Sequence, residues 1–104
     1  MTYEVIYAPL ADRQIERILK YIAKKSSRGV AVSFILRLRD ECETLATFPH
    51  RGLDLSHIGN GVRLIGFRGA VSILFRIRDQ TVIISAVYYR GVDVQAALMQ
   101  KPQN

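Results

Sequence analysis

Three β-rich apolar segments lie almost end to end in the second half of the chain: VRLIGFR (62–68), VSILFRIR (71–78) and TVIISAVYY (81–89). Two residues separate each from the next, Gly69-Ala70 and Asp79-Gln80. Links this short suit hairpins and are far too short for a crossover, so an antiparallel meander is expected. Alternation sorts the middle segment into two faces. Val71, Ile73, Phe75 and Ile77 point one way; Ser72, Leu74, Arg76 and Arg78 point the other. The first face needs a cover, and the second is mixed and basic.

The first half of the chain supplies that cover. YEVIYA (3–8) reads as a short strand closed by Pro9. From Leu10 onward Ile15, Ile18, Leu19 and Ile22 recur at helical spacing. The opposite face carries Arg13, Arg17, Lys20 and Lys24, offset in part by Asp12 and Glu16. KKSSRG (24–29) breaks the pattern, and Ser26 or Ser27 is suited to cap a second helix. That helix is expected from about Val30 to Thr47, with Ala31, Phe34, Ile35, Leu38, Cys42 and Leu45 as its apolar stripe. The turn-rich stretch 49–61 reads as a loop. After the last strand, VQAALM is expected to form a short helix capped by Asp93. The order β-α-α-β-β-β predicts an α+β fold, a helical hairpin packed on one face of an antiparallel sheet, with residues 1–104 as one domain.

Charge and cysteine content narrow the function classes. Fifteen Lys+Arg against nine Asp+Glu give a formal charge of +6, and eleven of the cations are arginines. Arginine presents planar, bidentate donors, so nucleic acid, a ribonucleoprotein or an acidic protein partner fits this balance. A soluble domain kept apart by its own charge is the plainer alternative. No stretch approaches the roughly 18 uninterrupted apolar residues of a membrane span, and MTYEVIYAP lacks the basic start of a signal peptide. A cytoplasmic protein without membrane contact is expected. The lone Cys42 excludes an internal disulfide and a multi-cysteine zinc site, and reads as a buried structural thiol.

The chain resembles the RelE/ParE toxin superfamily, in particular its ParE-like branch. The likeness rests on ADRQIERILKYIAKKS, AVSFILRLRDECETLATFPHRG, GVRLIGFRGAVSILFRI and VYYRGVDVQAAL, in that order and spacing. It implies the toxin of a type II toxin–antitoxin, or plasmid stabilisation, system. Such a toxin acts on DNA gyrase and is silenced by a ParD-like antitoxin whose C-terminal segment wraps it. RelE-like members share the fold and cleave messenger RNA on the ribosome, which is the alternative reading. A binding module that has lost toxicity is a third.

Cleavage of RNA by its own 2′-hydroxyl needs a base, an acid and cations around the phosphorane. The resemblance places Ser72 where a RelE-like strand carries a catalytic arginine. No lysine lies between Lys25 and Lys101, and both histidines, His50 and His57, fall in the polar loop. Tyr88 and Tyr89 are the remaining acids, and a phenol with a pKa near 10 is a weak one unless cations lower it. The residues therefore favour binding over catalysis, and no catalytic residue, metal or cofactor is assigned. The resemblance to ParE-like toxins places target binding on Arg63, Arg76, Tyr88, Tyr89 and Arg90. Arg68 and Arg78, also on these strands, read equally as ordinary charged positions of a solvated sheet face or as part of that surface. In this reading Val87 ends the buried register, Tyr89 and Arg90 offer contacts, and Gly91 turns the chain away. Antitoxin binding is placed on Arg13, Arg17, Lys20 and Lys24, whose plain alternative is a solvated helix face.

Overall fold

The computed structural model describes residues 2–89. Strand β1 (Glu4–Tyr7) leads into helix α1 (Pro9–Lys25) and helix α2 (Arg28–Glu43), which ends in a single 3-10 turn (Thr44–Ala46). Strands β2 (Leu53–Asp54), β3 (Val62–Phe67), β4 (Val71–Arg78) and β5 (Thr81–Tyr89) follow. They form one sheet in the order β1-β5-β4-β3-β2. The meander β3-β4-β5 is antiparallel as its short links require, whereas β1 joins β5 in parallel. The two-helix excursion between β1 and the meander gives the chain length to return in that direction.

Local sequence explains the helix ends. Pro9 sits in the first turn of α1, where its missing N–H costs no bond. Asp12 lies near the positive end of α1, and Lys24 and Lys25 near its negative end. Ser27 is the cap of α2: its Oγ accepts the Val30 N–H at 3.1 Å. The second helix gives way to the 3-10 turn at Thr44, before Phe48-Pro49.

Both helices cover the same face of the sheet. Ala11, Ile15, Ile18 and Ile22 of α1 and Ala31, Ile35, Leu38 and Cys42 of α2 meet Ile65, Phe67, Val71, Ile73, Phe75, Val82, Ile84 and Val87. Phe75, Ile73, Val82 and Ile84 are fully buried. The loop expectation for 49–61 is corrected at Leu53–Asp54, which pairs with β3 as a fifth strand. Two residues are too few to carry a period-2 signal. The expected helix VQAALM lies outside the described residues, as do Arg90, Gly91 and Asp93.

Candidate functional site

A bulge decides which side chains of β5 reach which face. Leu74 is opposite Ala86 while Phe75 is opposite Ile84, so Ser85 is the extra residue. One extra residue reverses the alternation of everything after it. Val82 and Ile84 before the bulge, and Val87 and Tyr89 after it, therefore share the helix-covered face with Phe75, Ile73 and Val71. Tyr88 falls on the opposite, open face, across from Ser72. Val87 is the last buried residue of β5, as expected, and Tyr89 is partly buried on the same face.

The open face carries Ser72, Leu74, Arg76 and Arg78 on β4, flanked by Val62, Leu64 and Gly66 on β3 and by Thr81, Ile83, Ala86 and Tyr88 on β5. Its centre is apolar: Leu55, Val62, Leu74 and Ala86 form a small buried cluster, with Leu64 and Tyr88 packed against it. Arg76 is half-buried and Arg78 exposed. Neither makes a hydrogen bond or ion pair within the described residues, so both guanidinium groups retain their donors for a partner. Exposed Leu53 and Ile6, at 57% and 42%, extend the apolar surface toward the two sheet edges.

Arg63, placed with Arg76 among the target-binding residues, lies on the other face of the sheet from it. It pairs across the strands with Phe75, hence lies on the helix-covered side near the sheet edge. Its Nε donates to the Arg51 carbonyl at 3.0 Å, and its Nη1 lies 3.6 Å from Asp54 Oδ2. Arg51 in turn donates to Glu41 Oε2 at 3.0 Å and to Thr44 Oγ1 at 2.6 Å. This chain ties the end of α2 to β2 and β3, so the donors of Arg63 serve the fold. Arg51 was not singled out from sequence. Its only signal is a cation soon after a helix end that offers Glu41 and Thr44. Arg68 is at a tight turn with φ 54°, stacked over Phe67 at 5.3 Å.

The other tyrosine, Tyr89, closes an aromatic margin between helices and sheet. Its ring meets Tyr21 at 5.6 Å and Phe34 at 6.0 Å, and Phe34 meets Phe67 at 5.5 Å, all edge-on. A cleft of about 470 Å³ opens here, lined by Tyr21, Lys25, Val30, Phe34 and Tyr89. A second of about 270 Å³ adjoins it at Gln14, Arg17, Tyr21 and Tyr88. Gln14 Oε1 accepts the Val87 N–H at 2.6 Å, beyond the reach of β1. Arg13, Arg17, Lys20 and Lys24 are all exposed on α1, and among the described residues only Lys20 of the four is ion-paired, with Glu16 at 3.6 Å.

Titratable groups in the interior are held neutral. Burial, above all, pushes the Cys42 thiol up to about 11 and raises the Tyr7 phenol, which lies beside it. Arg39 lies over the Tyr7 ring at 4.7 Å, yet the Tyr7 hydroxyl has no hydrogen-bond partner of good geometry among the described residues. Such a thiol is inert at neutral pH. Asp54 is held below the usual carboxylate range, first by the Ser56 N–H at 2.7 Å. Among the described residues no three His, Cys, Asp or Glu side chains converge to hold a metal ion, and no helix is long and apolar enough to cross a membrane.

Solved structures share this arrangement. The chromosomal ParDE toxin–antitoxin system of P. aeruginosa is similar at 13% identity and a TM-score of 0.74, covering 86% of this chain and 97% of that one. The RelBE2 toxin–antitoxin complex of Mycobacterium tuberculosis is similar at 23% identity and a TM-score of 0.64, covering 88% and 95%. At such identities the likeness concerns the fold, two helices on a five-stranded, mostly antiparallel sheet. No curated protein sequence matches the chain. The sequence itself carries the assignment: residues 5–94 match the ParE toxins of type II toxin–antitoxin systems, parDE, and the chain belongs to that family.

Proposed function

We propose that this type II toxin inhibits DNA gyrase by binding rather than by cleaving a substrate, and that a ParD-like antitoxin neutralises it in the cytoplasm. The observation that carries the first part is the chemistry of the open face. Its strand positions on β3, β4 and β5 supply two arginines with free donors around an apolar centre, and neither lysine nor histidine. Cations beside an apolar patch suit docking to a target. The phenol of Tyr88 is the one acid–base group at those positions beside the arginines, and a phenol is a weak choice for the base that RNA cleavage needs.

The antitoxin reading is supported by the opposite margin. Its aromatic cleft is rimmed by Arg17 and Lys25 and adjoins the exposed cations Arg13, Lys20 and Lys24. An amphipathic segment bearing acidic residues fits such a surface. Target and antitoxin then meet at the end of β5, where Tyr88 faces the open side and also borders the second cleft, while Tyr89 packs on the helix side.

The decisive experiment compares two reactions with purified toxin. Supercoiling of relaxed plasmid by gyrase should stop, while message on translating ribosomes stays intact. Cleaved message with normal supercoiling would sink the gyrase reading in favour of an mRNA interferase.

A further inference from the structure

Four glycines of the described residues resist substitution, for two different reasons. Gly52, Gly61 and Gly69 have positive φ, 82°, 80° and 66°, where a side chain is strained. Gly59 does not, and its backbone conformation is open to other residues. What it lacks is room. A Cβ at position 59 would lie 2.7 Å from Arg76 Nη2 and 3.9 Å from its Cζ, with Val62 Cγ2 at 3.1 Å. The guanidinium of Arg76 occupies the space that a side chain at 59 would fill.

The surrounding loop is braced against giving way. The Leu55 N–H donates to the Val62 carbonyl at 2.9 Å and the Val62 N–H to the Gly59 carbonyl at 3.1 Å. The Ile58 N–H donates to the Leu55 carbonyl at 2.8 Å, and the Ile77 N–H to Gly61 at 2.9 Å. Leu55 and Val62 are buried beneath it in the open-face cluster. The loop therefore offers a fixed floor, and the flexible end of Arg76 is the part that must yield to any side chain at position 59.

We propose that Gly59 is a positioning residue for the target-binding face: its bare backbone seats the Arg76 guanidinium. A seated guanidinium has lost part of its rotamer freedom before the target arrives, which strengthens binding. This rests on the reading of the open face as the target-binding surface. Gly59 makes no contact with the target in this proposal. Its effect passes through Arg76, so the two positions must be coupled.

The test is a cycle of Gly59→Ala, Arg76→Ala and the double variant. Each full-length toxin is induced in cells lacking the antitoxin, assayed with purified gyrase, and melted. Loss of a charged hydrogen-bonding group typically reads as roughly 10- to 100-fold, so Arg76→Ala is expected to weaken inhibition about 10-fold or more. Gly59→Ala should weaken it about 5-fold in the wild-type background and less than about twofold in the Arg76→Ala background. Gly59→Ala with wild-type potency beside an impaired Arg76→Ala overturns the proposal. So does a Gly59→Ala penalty that persists undiminished without Arg76. If Gly59→Ala also lowers the melting temperature, the same cycle read in melting temperature decides. A clash with Arg76 vanishes in its absence; a clash with the loop does not. Coupling in growth arrest without any effect of the wild type on gyrase sinks the gyrase reading and leaves the Arg76 seat standing. If Arg76→Ala is as potent as the wild type in both assays, the open-face reading and the seat fall together. They also fall together if the wild type arrests neither growth nor supercoiling.

Discussion

Arg63 and Arg76 sit near one another on adjacent strands, and their sequence surroundings look alike. The structure puts them to opposite uses. Arg63, on the helix-covered side, has its donors taken by the Arg51 carbonyl and Asp54. Arg76, on the open side, is seated against Gly59 and keeps its donors free within the described residues. Tyr89 and Tyr88 repeat the division one strand away, the first packed on Tyr21 and Phe34, the second facing out beside Leu74 and Ala86. An arginine whose bonds close on its own chain stabilises; one whose bonds stay open is available to a partner. The face of the sheet, more than the residue type, makes the difference.

The contrast is sharpest in the neighbours Leu74 and Phe75. Phe75 is fully buried between the sheet and both helices, whereas Leu74 is 8% exposed and covered mainly by a loop. Truncating a core phenylalanine costs about 3–5 kcal/mol, so Phe75→Ala should nearly exhaust the stability of a domain this size. Leu74→Ala should cost about 2 kcal/mol, at the low end for leucine, because the thin cover can collapse. Urea unfolding of the two variants checks this. Equal losses would mean the open face is as firmly packed as the covered one.

A pH series acts on the covered side alone. The folded state raises Cys42 from 9.0 to about 11, chiefly through burial, so it holds that proton more tightly than the unfolded chain does. Stability from this group is complete below the unfolded value and is lost as pH rises through the window between the two, a loss of about 2–3 kcal/mol. Tyr7, also raised, pushes in the same direction at higher pH. The urea midpoint should therefore fall between pH 8 and pH 10.5, and fall less in Cys42→Ala. An unchanged midpoint would mean that the thiol reaches solvent.

How much of this was legible in sequence depends on whether the signal was local. The two helices, the meander and the facing of Val71, Ile73, Phe75 and Ile77 follow from periodicity and short links, and the structure has them so. The division between Tyr88 and Tyr89 did not follow. Both faces of TVIISAVYY are apolar enough to hide the extra residue at Ser85, and strict alternation would group Ile84 with Ala86 and Tyr88. The face on which Arg63 lies is hidden from the sequence for a related reason. Val62, Leu64, Ile65 and Phe67 are apolar on both faces of β3, so alternation does not say which face meets the helices. Its partners Arg51 and Asp54 come from a stretch with no periodic pattern at all. The seat of Arg76 is a contact between a strand and a loop glycine, and no one-dimensional pattern encodes it.

The two arginines themselves give the smallest stability effects and the cleanest separation of roles. Removing Arg63 deletes a charged donor from a carbonyl and leaves that carbonyl at a half-buried site, a cost of about 1–2 kcal/mol; the ion pair with exposed Asp54 adds little. Removing Arg76 breaks no hydrogen bond or ion pair among the described residues and should change stability by less than about 0.5 kcal/mol. Function should run the other way, with Arg76→Ala losing potency against its target and Arg63→Ala retaining it once the folded fraction is matched. Melting curves and growth-arrest titrations on the same two variants supply both readings. If Arg63→Ala lost potency while melting like the wild type, Arg63 would act on the target directly. If Arg76→Ala melted early with potency intact, Arg76 would be part of the fold. Either result would erase the distinction between the faces, because the same guanidinium chemistry would then be doing both jobs regardless of where its donors point.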